Sequence, residues 1–161
     1  MEGPLTIVEG PTYAVSAMLN PGFALAALVA LITFGVHTFV GGIFVARPLL
    51  KARDLTPASR WLNYYTWHMA TALLLFMTAG FGWAALVREA ADVGFLLTAM
   101  ASVFSPLCVV VALRGGIKPW RFPAASLFLI IALCGAFGLK EVADTSLNLY
   151  AERNVDLRVG R

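Results

Sequence analysis

The chain contains two histidines, His37 and His68, and both lie inside long apolar runs. A titratable side chain is costly in hydrocarbon, and within a membrane span it commonly marks a functional site. A basic stretch separates the two runs. If the runs form a helical hairpin, the two imidazoles lie at nearly the same depth and can act as a pair of ligands.

Such a pair favours ligation of a haem iron, because neutral imidazole is a common axial ligand and helical bundles hold cofactors between facing side chains. Residues four apart on a helix share a face. Each histidine therefore has a small residue one turn away, Gly41 beside His37 and Ala72 beside His68. These positions would leave clearance beside each ligand for a flat macrocycle.

Basic residues between the two runs support the same prediction. They are Arg47, Lys51, Arg53 and Arg60. Arginine pairs well with carboxylates through charge-assisted hydrogen bonds, and a haem carries two propionates. The sequence therefore predicts haem b near this loop, held by His37 and His68 and paired with Arg47, Arg53 or Arg60. The chain has no phosphate loop, nucleophile elbow or paired carboxylate that would indicate catalytic residues.

Other roles for the histidines are open. An intramembrane histidine can hydrogen-bond a neighbouring helix or contact a partner subunit, and small residues such as Gly41 and Gly42 also allow close helix packing. The hydroxyl groups that could serve as partners belong to Thr66, Thr71, Ser102, Ser105 and Ser126. A zinc site is disfavoured, because the apolar runs offer no carboxylate and no third histidine.

The composition is that of a membrane protein. Of the 161 residues, 60% are hydrophobic and 13% are charged, whereas soluble domains carry roughly 25% charged residues. Four runs lack Asp, Glu, Lys and Arg, at residues 22–46, 62–87, 93–113 and 122–139. Each run approaches the ~20 residues that a helix needs to cross the hydrocarbon. We therefore expect one all-α domain over residues 1–161, an integral membrane four-helix transmembrane bundle.

The distribution of Lys and Arg predicts the orientation. The loops after the first and third runs are basic, whereas the N-terminal segment has two acids and no basic side chain. The basic loops should face the cytoplasm, with both termini outside. Topology thus accounts for the net charge of +3, and no nucleic-acid partner is expected. The expected partners are the lipid bilayer and either other subunits of a membrane complex or further copies of the chain.

The flanks of the bundle carry local signals. Residues 11–20 are expected to form a short outer helix, and Pro21-Gly22 then turns the chain into the first span. Thr56 followed by Pro57 is typical of a helix start, so the second helix should begin inside the basic loop. Residues 140–153 keep helical spacing with interleaved charges. They predict an amphipathic helix on the outer surface.

Three segments together resemble a known pattern: HTFVGG at 37–42, RPLL at 47–50 and YTWH at 65–68. The pattern is similar to that of small bacterial four-span proteins of the copper-resistance D-like type. In these, His-x-x-x-Gly-Gly ends a first helix, a proline follows in the cytoplasmic loop and a second histidine opens the next helix. A more distant similarity is to four-span haem-dependent protoporphyrinogen oxidases, but this chain has no lysine in any span. The resemblance implies a multi-pass protein of the bacterial inner (cytoplasmic) membrane.

Three function classes follow. The first is a membrane b-type cytochrome or haem-dependent redox protein that serves electron transport. The second is a non-catalytic accessory subunit of a larger respiratory or photosynthetic complex. The third is a small metal or solute transporter, which ranks last because no span contains a charged side chain.

Overall fold

The computed structural model describes residues 19–159, and this part of the chain is helical without strands. Short 3₁₀ turns at Arg88–Ala90 and Pro119–Arg121 join some of the helices. The four long helices are α1 (Pro21–Lys51), α2 (Pro57–Leu86), α3 (Ala91–Arg114) and α4 (Pro123–Val159). All four are long and apolar enough to cross a membrane. The predicted all-α, four-span membrane bundle is confirmed.

Helix boundaries follow local chemistry. The Thr56 hydroxyl accepts a hydrogen bond from the Ser59 amide at 3.2 Å, so α2 begins at Pro57 as expected. Pro123 opens α4, where a missing amide hydrogen costs nothing. Gly116, with φ of 67°, provides the left-handed conformation that ends α3. We call the end of the bundle with the loops at 52–56 and 115–122 the basic end, and the opposite end the terminal end.

The predicted end of the first span differs from the structure. The helix α1 runs past residue 46 and through Pro48 to Lys51, so this proline is helical and not part of the loop. The predicted helix at 140–153 is confirmed, and it is a direct continuation of α4, which has 37 residues. At 1.5 Å per residue α4 is about 55 Å long, well beyond a hydrocarbon thickness of about 30 Å. Of the predicted helix at 11–20, residues 11–18 lie outside the described residues, and Leu19 and Asn20 are not helical.

The bundle is packed most tightly in its terminal half. There α1 packs against α2 and α4, and α4 packs against α3. The largest fully buried side chains are Phe23, Met77, Phe81 and Ile131, surrounded by buried alanines of all four helices. In the basic half, Ala46 is the one buried residue of the second half of α1 (Val36–Ala46 and Arg47–Lys51).

Asn20 and two glycines fix the start of α1 against its neighbours. The Asn20 side chain accepts from the Phe23 amide and donates to the Gly138 carbonyl, both at 2.9 Å. Its own amide donates to the Ala85 carbonyl at 2.9 Å. Gly22 lies so close to Gly138 that a Cβ on Gly22 would overlap the Gly138 backbone. Three helices are therefore held together at the terminal end by backbone contact.

We expect Gly22→Ala to destabilise the bundle, because the new methyl group must push α1 and α4 apart. Overpacking of this kind costs about 1–3 kcal/mol. Gly82→Ala is the matched control, since no atom lies within 4 Å of a Cβ at that position; it should be neutral or stabilising by up to about 1 kcal/mol. Unfolding by SDS in mixed micelles measures both. Equal stability of the two variants would contradict the close contact.

Candidate ligand-binding cleft between α1 and α2

The first histidine lies in an unusual stretch of α1. From Val36 to Ala46 the helix is wound as a π-helix, between α-helical turns on both sides. A π-helix pairs backbone groups five residues apart instead of four, and it occurs frequently at functional sites. The wider winding redistributes the side chains of residues 36–46 around α1, so their faces differ from those of an α-helix.

His37 is held by Trp67 of α2. Its Nε2–H donates to the Trp67 carbonyl at 3.3 Å, and the two rings stack with centroids 3.9 Å apart and an interplanar angle of 16°. The far edge of the indole fills the space beside Gly41, where a Cβ would stand 2.6 Å from Cη2 of Trp67. Trp67 thus acts as a spacer between α1 and α2, and Gly41 makes room for it.

The hydroxyl groups expected to pair with the histidines donate hydrogen bonds to backbone carbonyls instead. Thr66, Thr71 and Ser102 donate to carbonyls four residues earlier on their own helices. Ser126 donates to the Pro123 carbonyl, and Ser105 donates across to the Ala125 carbonyl of α4 at 2.9 Å. The interhelical hydrogen bond of His37 therefore goes to a backbone carbonyl.

Next to Trp67 lies a cleft of ≈ 360 Å³ between α1 and α2 at the basic end. Ligand sites in proteins typically have volumes of about 300–1,000 Å³. The cleft combines apolar walls with a histidine, a tyrosine, two threonines and an arginine. Its lining residues are Thr38, Phe39, Gly42, Ile43, Ala46, Arg47, Leu50, Tyr64, Trp67, His68 and Thr71.

His68 is the titratable ring that lines this cleft. It is exposed, and it meets the Tyr64 ring edge-on with centroids 4.5 Å apart. Within residues 19–159 its ring nitrogens have no hydrogen-bond partner. An imidazole left in this state at membrane depth is costly, so a ligand, a partner or water must satisfy it.

Thr38 adds a second unsatisfied polar group. Its hydroxyl oxygen is buried and has no hydrogen-bond partner within the described part of the chain. Threonines in the α-helical turns, such as Thr33 and Thr71, donate to the carbonyl four residues earlier. The π winding changes that register at Thr38, which leaves the hydroxyl beside the cleft without its usual partner.

The other predicted site residues are distributed unevenly. Arg47 lines the cleft, whereas Arg53 is exposed in the adjoining loop and Arg60 donates to the Leu55 carbonyl at 3.3 Å. Ala72 is exposed on α2 and is not part of the lining. His37 and Gly41 lie behind Trp67. The structure thus brings His68 and Arg47 to one cleft.

Sequence reasoning missed three features of this site: the spacer role of Trp67, the hydroxyl of Thr38 and the open position of Gly42. A Cβ on Gly42 would meet nothing within 4 Å, so this glycine and not its neighbour provides clearance at the cleft. The adjacent glycines in the sequence indicate that part of α1 must be free of side chains. With α-helical spacing, however, the residue one turn from His37 is Gly41, so the sequence assigns the open space to Gly41 and not to Gly42.

Comparisons with models of protein families, with curated proteins and with solved structures returned no match.

The adjacent glycines provide a matched test of the spacer. Gly41→Ala should displace the Trp67 ring and destabilise the protein by about 1–2 kcal/mol. Gly42→Ala should leave stability unchanged or slightly raised, because its Cβ enters open space. Thermal unfolding in detergent measures the difference. A larger loss for Gly42→Ala would show that Trp67 does not occupy the space beside Gly41.

Proposed function

We propose that this membrane protein binds haem b in the cleft between α1 and α2 and serves electron transfer or related redox chemistry. The observation that carries the proposal is the unpartnered imidazole of His68 in a cleft that also contains Arg47. An imidazole nitrogen is a suitable haem ligand, and a guanidinium is a suitable partner for a propionate. When bound, haem supplies one-electron chemistry at its iron.

The donor set and shape of the cleft fit such a ligand in part. Gly42 leaves space on the α1 wall, and Phe39 and Ile43 offer apolar contact to a macrocycle. A volume of ≈ 360 Å³ encloses one portion of a haem, and the rest would lie against lipid or a partner. Thr38 on the α1 wall and Tyr64 on the α2 wall each supply a hydroxyl group.

His37 is proposed as a second histidine that would hold the haem iron. To reach an iron in the cleft, its ring must leave the stack with Trp67 and give up the hydrogen bond to the Trp67 carbonyl. The number of histidines that ligate the iron can therefore be measured separately from whether haem binds. With His68 alone the haem would be five-coordinate, and with both histidines it would be six-coordinate.

The test is the visible spectrum of the protein, expressed with a haem precursor, purified in mild detergent and reduced with dithionite. We expect a Soret band in the wild-type protein and its loss in His68→Ala. Thr66→Ala is the control, because Thr66 is exposed on α2 and outside the lining. In His37→Ala a six-coordinate haem would become five-coordinate, with broadened α and β bands. A wild-type protein without a Soret band, also after titration with hemin, would contradict the proposal.

Arginine substitutions test the proposed propionate contact. Arg47→Gln should weaken hemin binding about tenfold, which corresponds to one charge-assisted hydrogen bond of about 1.5 kcal/mol. Arg53→Gln removes the same charge from the adjoining loop and should change affinity little, because Arg53 does not line the cleft. If both substitutions weaken hemin binding equally, Arg47 contributes only its positive charge and forms no specific contact with a propionate.

A second candidate function is that of a non-catalytic accessory subunit of a larger membrane complex. The exposure of His68, beside exposed Tyr65 and Met69, favours it, because a partner helix could satisfy the imidazole. Co-purification with other membrane proteins in mild detergent, lost in His68→Ala, is the expected result for this candidate. Migration as a free monomer or homodimer would count against it.

A further inference from the structure

A second concave surface lies beside the cleft, at the end of α1. It is a groove of ≈ 430 Å³ lined by Ile43, Arg47, Pro48, Lys51 and Ala52. We call it the Arg47–Lys51 groove. Arg47 and Lys51 are four residues apart on the last helical turns and therefore share a face. The apolar floor consists of Ile43, one turn before Arg47 toward the span, and Pro48, which lies between the two cations along the helix.

Both cations are free of protein partners in the described part of the chain. Neither Arg47 nor Lys51 forms an ion pair or a side-chain hydrogen bond there, and the salt bridge within residues 19–159 joins Lys140 to Asp144 at the other end. No carboxylate lines the groove. No protein group of the described residues therefore neutralises these two positive charges at the membrane boundary.

The C-terminal end of α1 does not neutralise the charges of Arg47 and Lys51. The carbonyl end of a helix carries an effective charge of roughly −0.5, whereas Arg47 and Lys51 together carry two positive charges. Pro48 lacks an amide hydrogen, so its part of the floor is apolar and donates no hydrogen bond. The local field is positive, and it adjoins a strip of exposed hydrophobic side chains on α1 that includes Val40, Ile43 and Phe44.

We propose that the Arg47–Lys51 groove binds an anionic glycerophospholipid. The phosphodiester lies between the two cations, where the guanidinium can form paired hydrogen bonds and the ammonium acts as a point charge. An acyl chain lies along Ile43 and the exposed strip of α1. A membrane lipid fits better than a soluble phosphate, because the floor of the groove is continuous with the lipid-facing surface of the span.

The experiment is native mass spectrometry of the full chain, titrated with phosphatidylglycerol or with phosphatidylcholine of the same acyl chains. We expect preferential retention of phosphatidylglycerol, with a loss of about fivefold in apparent affinity for each cation removed. The double variant Arg47→Gln, Lys51→Gln should lose the preference. The control Arg53→Gln, Lys118→Gln has the same net charge but alters residues outside the groove, and it should retain the preference.

Three results would overturn the proposal. They are equal retention of the two lipids by the wild-type protein, an equal loss in both double variants, and full displacement of phosphatidylglycerol by an equimolar amount of glycerol 3-phosphate, which would identify a soluble phosphate as the ligand. If the groove variant fails to fold, Lys51→Gln against Lys118→Gln makes the same comparison. Arg47 lines both the groove and the cleft, so the double variant also alters the proposed haem site. The comparison of Lys51→Gln with Lys118→Gln is independent of haem, because neither residue lines the cleft.

Discussion

The contact between Gly22 and Gly138 is the constraint on which the rest of the bundle depends. With no side chain on either residue, the backbones of α1 and α4 touch, and Asn20 links this point to the Gly138 and Ala85 carbonyls. In lipid the hydrophobic effect does not drive helices together, so close packing and interhelical hydrogen bonds must do so. Both are concentrated here, next to the buried Phe23 and Phe81.

Tight packing at the terminal end leaves the basic end free to differ. There α1 is separated from α2 by the Trp67 ring, which stacks on His37 and occupies the space of the absent Gly41 side chain. The Trp67 ring holds α1 and α2 apart, but it is flat and fills only part of the space between them. The remaining space is the cleft lined by His68, Thr38 and Arg47.

The π winding of Val36–Ala46 connects the backbone to the chemistry of the cleft. It contains Thr38, whose hydroxyl has no partner among the described residues, and Gly42, which faces open space. An α-helical turn that includes Pro48 follows it. The same winding ends beside Arg47, which borders both the cleft and the Arg47–Lys51 groove. One irregular segment of α1 therefore shapes two adjacent concave surfaces.

The sequence by itself determined the four helices and the start of α2 at Thr56-Pro57, because hydrophobic run length and caps are local properties. It also singled out His68 and Arg47. It did not determine that α1 continues past Pro48 or that Gly42 borders the cleft in place of Gly41. The position of Gly42 depends on the π-helix and on the packing of Trp67 against α1, and neither can be read from a helix face drawn with α-helical spacing. Only tertiary contact decided which of two neighbouring glycines faces an indole and which faces open space.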